Sequence, residues 1–321
     1  MEKVYVGVDV GGTKTAVILS VRPPETLGRI EFATLPELGP ERALQLIVES
    51  ARSLLTQHSL GVKAVGVSCG SPLDRVKGII QAPPNLSTWV DVDIRSLLEE
   101  AFDAPCQVEN DANAGAVAEH RFGAGVGADH MVFLTLGTGL GAGIIANGSL
   151  YLGAQGDAGE IGHVRLSPTG PVGYHKAGSI EGWSSGGGIA QLAAQVLARP
   201  GRPSSLHAVE NVTARDVGLA AQAGDAVARS ILRRSGERLG QTLAMLMDVL
   251  NPQRIVLGGL AWRMGEPFMA PMRRVMEREA LPQTLRACEV VPAALGEKIG
   301  DVAAMCVAMG LEGRGQSLPG E

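Results

Sequence analysis

Residues 4–21 read VYVGVDVGGTKTAVILSV. Val4–Val8 and Thr15–Val21 are β-branched runs, separated by Asp9-Val10-Gly11-Gly12-Thr13-Lys14. Two strands around a tight Gly-Gly turn predict a β-hairpin. A plain turn accounts for this pattern, and so does a phosphate-binding turn. In the second reading glycines let backbone N–H groups approach an anion, Thr13 and Lys14 add donors, and Asp9 holds a hydrated Mg²⁺. The stretch is no Walker A loop, because GxxxxGK[ST] is absent. The pattern recurs. Met131–Leu136 (MVFLTL) runs into Gly137-Thr138-Gly139-Leu140-Gly141-Ala142-Gly143, and a strand resumes at Ile144–Ala146. This second stretch does not fit GxGxxG and no helix opens after it, so a dinucleotide reading fails. Two such hairpins, each opening an α/β unit, point to a duplicated fold with a nucleotide between the halves.

Behind the first hairpin the patterning predicts a strand at Gly28–Thr34 and a helix over Pro40–His58, with apolar residues at helical spacing. A buried strand, Val62–Ser68, follows and closes in the Gly70-Ser71-Pro72 turn. Pro83-Pro84-Asn85-Leu86 with Trp89 is irregular, Asp93–Phe102 is an amphipathic helix, and Pro105–Glu109 is a strand. That strand enters Gln107–Asn113, QVENDAN, and a helix-friendly run follows. Polar residues at a strand-to-helix junction face the ligand side of an open α/β sheet. Asp111 there is either a catalytic base or, with Asn110, a helix cap favoured by the dipole.

Behind the second hairpin Gly156–His163 (GDAGEIGH) places Glu160 and His163 three residues apart. A polyol-binding pair and a local hydrogen bond both fit. A structural zinc needs about four ligands, and the segment has no cysteine. Helices are expected over 188–198, 214–223, 225–250, 266–280 and 301–310. Strands are expected at 255–257, leading into Gly258-Gly259, and at 287–291.

The chain of 321 residues is 45% hydrophobic, which supports a large core and predicts two domains. The expected division is 1–113, completed by a C-terminal helix at 299–311, then 114–298, with 312–321 a frayed tail. With a net charge of -5 and no basic stripe, a nucleic-acid surface is not expected. No apolar run has membrane-span length. The start at Met1 is no signal peptide, and Cys69, Cys106, Cys288 and Cys306 form no CxxC pair. Buried free thiols in a reducing cytosol are the expectation.

Taken in order, these motifs resemble the ROK family of sugar kinases and sugar-responsive repressors. Asp9–Lys14 looks like its first phosphate motif and Pro84-Asn85-Leu86 with Trp89 like its PNLxxW segment. Glu109–Asn113 is similar to its catalytic motif and Leu136–Gly141 to its second phosphate motif. Glu160–His163 resembles the ExGH motif, Glu181 the following sugar-contacting Glu, and Val256–Gly259 the adenosine segment.

The resemblance implies an α/β, two-domain actin-like ATPase (ribonuclease H-like) fold with a cleft between domains. It implies phosphoryl transfer from ATP to a hexose, with the 6-hydroxyl of glucose or a related hexose as the default. Asp111 would be the general base, and Asn85, Asn110, Glu160, His163 and Glu181 would hold ring hydroxyls. Gly11, Gly12, Thr13, Lys14, Gly137, Thr138, Gly139, Gly258 and Gly259 would cradle ATP, with Asp9 on Mg²⁺ through water. A cytoplasmic homodimer is the family expectation. One departure stands out. Where the family carries CxCGxxGC around a structural zinc, residues 170–181 read GPVGYHKAGSIE, so zinc is not expected. The first strand begins near residue 4, so no helix-turn-helix is expected ahead of it. The rival readings are a non-catalytic sugar sensor, a kinase for N-acetylated hexosamines, and an actin-like ATPase or carboxylate kinase acting on a non-sugar.

Overall fold

The computed structural model describes residues 2–310, apart from Pro200 and Arg202. Two compact units emerge among the described residues: 2–122 together with 297–310, and 123–296.

The first unit is built on a five-stranded sheet. Its strands are β1 (Lys3–Val10), β2 (Lys14–Ser20), β3 (Gly28–Ala33), β4 (Gly61–Cys69) and β5 (Cys106–Asn110), in the order β3-β2-β1-β4-β5. β1, β2 and β3 form an antiparallel meander, while β4 and β5 run parallel to β1. Side chains alternate across β1, as a pleated strand requires. Val4, Val6, Val8 and Val10 join the core with Ala43, Ile47 and Leu54 of α1 (Pro40–His58) and Leu98 of α2 (Ile94–Phe102). On the opposite face Tyr5 and Ala64 meet Ala308 of the C-terminal helix, Ile299–Met309. That helix packs backbone against backbone: a Cβ at Gly66 would lie 2.2 Å from the Ala308 nitrogen.

The second unit repeats the plan. Its sheet holds β6 (Met131–Leu136), β7 (Leu140–Ala146), β8 (Ser149–Leu150), β9 (Arg254–Leu257) and β10 (Glu289–Pro292), in the order β8-β7-β6-β9-β10. Again a meander comes first, and two later strands add parallel to its opening strand. Val132, Leu134 and Leu136 join one core with the helices, Ile231, Leu239, Leu243 and Met247 of the long Ala226–Leu250 helix among them. The matching strand orders are the structural form of the repeat legible in the two glycine hairpins.

Several sequence expectations shift. The first boundary falls after Phe122 and not after Asn113. The helix α3 (Asp111–Phe122) has small buried residues, Ala112, Ala114, Gly115, Ala116 and Ala118, and packs on the C-terminal helix. The helix expected from Gly188 is two: α4 (Ile180–Ser184), capped by Ser179, and α5 (Gly186–Leu197), capped by Ser185. The helices Gly259–Met264 and Pro282–Ala287 were not expected. Nor was a small antiparallel sheet of Leu73–Asp74, Ile79–Ile80 and Val92–Asp93. Its strands are too short to show a period. All four cysteines are free thiols, three buried and Cys288 only half-buried. The tail 312–321 lies outside the described residues. Among the described residues no helix is long and apolar enough to cross a membrane.

Candidate active site

In the first unit the carboxyl ends of β1, β4 and β5 finish level. Asp9, Ser68 and Glu109 share one rung, and Val10, Cys69 and Asn110 share the next. Asp111 begins α3 just beyond. Parallel strands ending together expose their last residues and following loops as one surface, the usual ligand side of such sheets.

The capping question resolves in favour of Asn110. Its Oδ1 accepts from the N–H groups of Ala112 (2.9 Å) and Asn113 (3.2 Å), and its Nδ2 donates to Ser71 Oγ (2.8 Å). Asn110, expected to hold a ring hydroxyl, is therefore largely engaged within the protein. The Asp111 carboxylate accepts from the Ala112 N–H (2.8 Å) and from its own backbone N–H. Asp111 is exposed as a residue at the strand-end surface, while burial of its carboxylate raises its pKa. Asp9 is pushed up to about 7, by burial first and then by the negative charges of Asp111 and Asp301. The two carboxylates thus sense each other, a donor pair that a divalent cation would neutralise.

Glu109, whose role the sequence leaves open, is a buried organiser. Arg75 grips Glu109 Oε2 through Nε (3.1 Å) and Nη2 (2.6 Å). Glu109 Oε1 accepts from the Asn110 N–H (3.0 Å) and Asn113 Nδ2 (3.2 Å). Arg75 is held in turn by Arg95, which donates to the carbonyls of Arg75 and Val76. Sequence reasoning missed Arg75, which sits in no recognisable motif.

The Gly11-Gly12 turn is braced by Thr34, another residue the sequence did not mark. Thr34 Oγ1 donates to the Gly11 carbonyl (2.7 Å), and the Thr34 N–H donates to the Thr13 carbonyl (3.1 Å). The N–H groups of Gly12 and Thr13 reach no acceptor among the described residues. Lys14 is exposed and pairs with Glu31 (3.0 Å), which also meets Arg29 (2.6 Å). The PNL segment is a 3₁₀ turn, Pro84–Leu86. Leu86 and Trp89 are fully buried and anchor it, leaving Asn85 exposed. A Cβ on Gly12 would lie 2.6 Å from the Asn85 Cβ, so glycine lets the phosphate-type turn and Asn85 sit side by side.

The second unit offers a parallel arrangement. The carbonyls of Gly137 and Thr138 accept from the N–H groups of Gly186 (2.8 Å) and Gly187 (3.0 Å), opening α5. The N–H groups of Thr138 and Gly139 reach no acceptor among the described residues. Both hairpins therefore present two successive free backbone donors, which an anion could accept from. Glu181 Oε2 accepts from the Leu140 N–H (3.1 Å) at the end of that turn. Gly162 lies so close that a Cβ would fall 2.2 Å from the Leu140 carbonyl oxygen and 3.5 Å from the Glu181 Cβ. The turn Ile161–His163 is thereby drawn against Glu181, with the Glu160 and His163 side chains exposed. Gly258 donates to the Leu134 carbonyl (2.8 Å) and abuts β6 just before the second hairpin, and Gly259 starts a helix.

The residues of the 170–181 segment do not fit a zinc cluster. They form a β-hairpin, Val172–Gly173 paired with Lys176–Ala177, with Tyr174 and His175 at the tip. Both tip residues have positive φ, 38° and 63°, as this tight turn requires. Gln191 clamps Val172 by accepting from its N–H (2.9 Å) and donating to its carbonyl (2.8 Å). The Trp183 indole donates to Ser167 Oγ (2.9 Å), Lys176 Nζ donates to the His163 carbonyl (2.8 Å), and the His163 and Tyr174 rings meet edge-on at 6.0 Å. Among the described residues no three His, Cys, Asp or Glu side chains gather as a metal site.

Two β-meander α/β units with paired glycine hairpins and carboxylates at the strand ends define an actin-like ATPase fold. The ROK family model matches residues 5–310, and the chain belongs to the ROK family. It is 35% identical over 307 residues to a glucokinase of Halalkalibacterium halodurans, covering 92% of each chain. Among solved structures it is similar to a ROK hexokinase from Thermus thermophilus, with TM-score 0.82 and 30% identity, covering 98% of this chain and 100% of that one. It is also similar to a ROK glucokinase from Streptomyces griseus in complex with glucose and AMPPNP, with TM-score 0.76 and 31% identity, covering 96% and 99%.

Proposed function

We propose that this protein is an ATP-dependent hexose kinase that transfers the γ-phosphoryl group to a hexose hydroxyl, the 6-hydroxyl of glucose or a close relative. The observation that carries the reading is Asp111. It is a carboxylate at the strand-end surface, relieved of most capping duty by Asn110, and burial raises its pKa above the ordinary carboxylate value. The relatives with glucokinase and hexokinase names support the same reaction class.

Phosphoryl transfer asks for positioning and charge neutralisation more than covalent chemistry. Asp111 accepts the proton of the attacking hydroxyl. Taken by itself, the first unit offers Asn85, the remaining N–H of Asn110 and the Gly11–Lys14 turn as candidate contacts. Taken by itself, the second unit offers Glu160, His163, Glu181, the Gly137–Gly139 turn and Gly258-Gly259 as candidate contacts. In each unit the unpaired N–H groups of the glycine turn are the candidate donors to phosphate oxygens. Asp9 would hold Mg²⁺, which would supply positive charge to offset that of the ATP phosphates. A site built on hydroxyl-directed hydrogen bonds rejects sugars with an inverted or missing group.

The test is ADP release measured across a hexose panel, N-acetylated hexosamines included, with Asp111→Asn in parallel. A drop in kcat of roughly 10²–10⁴ with sugar binding retained is expected. Turnover persisting in Asp111→Asn would remove the base assignment, and no turnover with any sugar would leave the sensor reading.

A further inference from the structure

A pocket of about 320 Å³ opens in the second unit, lined in part by Trp183, Arg234, Glu237, Arg238, Gln241 and Arg278. Arg234 and Arg238 stand one turn apart on the Ala226–Leu250 helix, and both guanidinium groups lie over the Trp183 ring, 5.8 and 5.0 Å from its centroid. Like charges at this spacing repel, so their convergence needs compensation. The nearby acids are engaged elsewhere. Glu237 pairs with Arg233 (2.9 Å), and Glu279 with Arg278 (2.6 Å). Arg238 donates to the neutral amide of Gln241 (2.8 Å). Arg234 has no hydrogen-bond or ionic partner among the described residues; the Trp183 ring is its contact.

A guanidinium stacked on an aromatic face keeps its N–H edges for other partners, and its planar fork matches phosphate oxygens in pairs. The platform is rigid. Trp183 is 6% exposed, its indole donates to Ser167 Oγ, and its carbonyl accepts from buried Ser235 Oγ (2.7 Å). The volume holds about ten waters at roughly 30 Å³ each, enough for a phosphoryl group with a small organic body.

We propose that this pocket is a binding site for a small phosphate-bearing anion, held by the paired guanidiniums of Arg234 and Arg238 on the Trp183 platform. Trp183 and Glu181 share the one short helix α4, and Glu181 accepts from the second glycine hairpin. An occupant therefore sits two residues from a group in the proposed sugar site. Binding stands apart from the kinase reading and is tested without turnover.

The experiment titrates the full chain with inorganic phosphate and, separately, with a hexose 6-phosphate at fixed ionic strength. Tryptophan fluorescence and calorimetry are the readouts. A saturable fluorescence change is expected, lost in Trp183→Phe. Arg234→Gln and Arg238→Gln should each weaken binding about tenfold, and Arg238→Lys, which keeps charge but not the fork, should also weaken it. Tighter binding of the hexose phosphate assigns an organic phosphate ligand; equal binding assigns the phosphoryl group alone. Circular dichroism of each variant separates lost binding from lost folding. The proposal is overturned by the absence of saturable binding, by binding that survives Arg234→Gln/Arg238→Gln, or by variants that alter sedimentation while leaving anion affinity unchanged. The last result would make the patch a self-association surface.

Discussion

Gly300 holds the Asp9 carboxylate against the first turn of the C-terminal helix: a Cβ at residue 300 would lie 2.1 Å from Asp9 Oδ2 and 2.8 Å from its Cγ. The next residue, Asp301, binds Arg29 Nε (2.8 Å) and adds negative charge that raises the Asp9 pKa. The two ends of the chain thus make one electrostatic unit.

Gly300→Ala should therefore displace Asp9 while the helix persists, since alanine favours helix. A shift of about 1 Å in a positioning group costs up to roughly a hundredfold in rate. Steady-state kinetics against Mg²⁺ concentration should show reduced kcat/KM and weaker Mg²⁺ dependence, with circular dichroism unchanged. Unaltered kinetics would sever Asp9 from catalysis.

Asp9 should also make stability depend on pH and Mg²⁺. Its folded pKa, about 7, exceeds its ordinary 3.8. The native state therefore holds the extra proton. The stability this contributes is complete below the ordinary value and is lost as pH rises through about 7. Asp9→Asn should be more stable than the parent at pH 8, and the gap should close toward pH 4. Mg²⁺ favours the ionised form, so it should raise the parent's Tm more at pH 8 than at pH 6 and leave Asp9→Asn unmoved. Thermal melts at both pH values read this directly. Equal Mg²⁺ shifts in the two proteins would contradict it.

Breaking the Arg75–Glu109 pair should be costly, because both side chains are well covered, at 16% and 6% exposure. Arg75→Met leaves Glu109 uncompensated and should cost about 3 kcal/mol in urea unfolding. Arg75→Met/Glu109→Met should recover part of that loss. Since Glu109 also fixes Asn110 and Asn113, kcat should fall in both. A single variant as stable as the parent would refute the pair's structural role.

The hairpin at 172–177 should be indifferent to zinc removal. Incubation with a zinc chelator should leave Tm and kcat unchanged. Gln191→Ala, which removes both hydrogen bonds to Val172, should cost about 1 kcal/mol at this exposed position. A chelator-induced fall in Tm would restore a metal to this segment.

The two strand–glycine–strand stretches were legible because their signals are local. β-branched runs and Gly-Gly turns declare themselves within a dozen residues, and their recurrence disclosed the duplicated sheet. The Asp111 junction was legible as a choice between cap and base, and no more. Arg75 and Thr34 were hidden, since each acts across a fold-dependent separation that leaves no spacing to read. A glycine in the first turn of the C-terminal helix, beside Asp301, was a hint of Gly300's close approach.

By itself, then, the sequence determined the order of elements, the two glycine turns, the family and the loss of the zinc cysteines. These depend on residue type and short-range period. Tertiary structure alone decided that Asn110 takes the cap and leaves Asp111 available, that Arg75 neutralises Glu109, and that Asp9 lies within reach of the negative charges of Asp111 and Asp301. Those outcomes depend on burial and on charges brought within reach by parallel strands ending at one level, which no local pattern encodes.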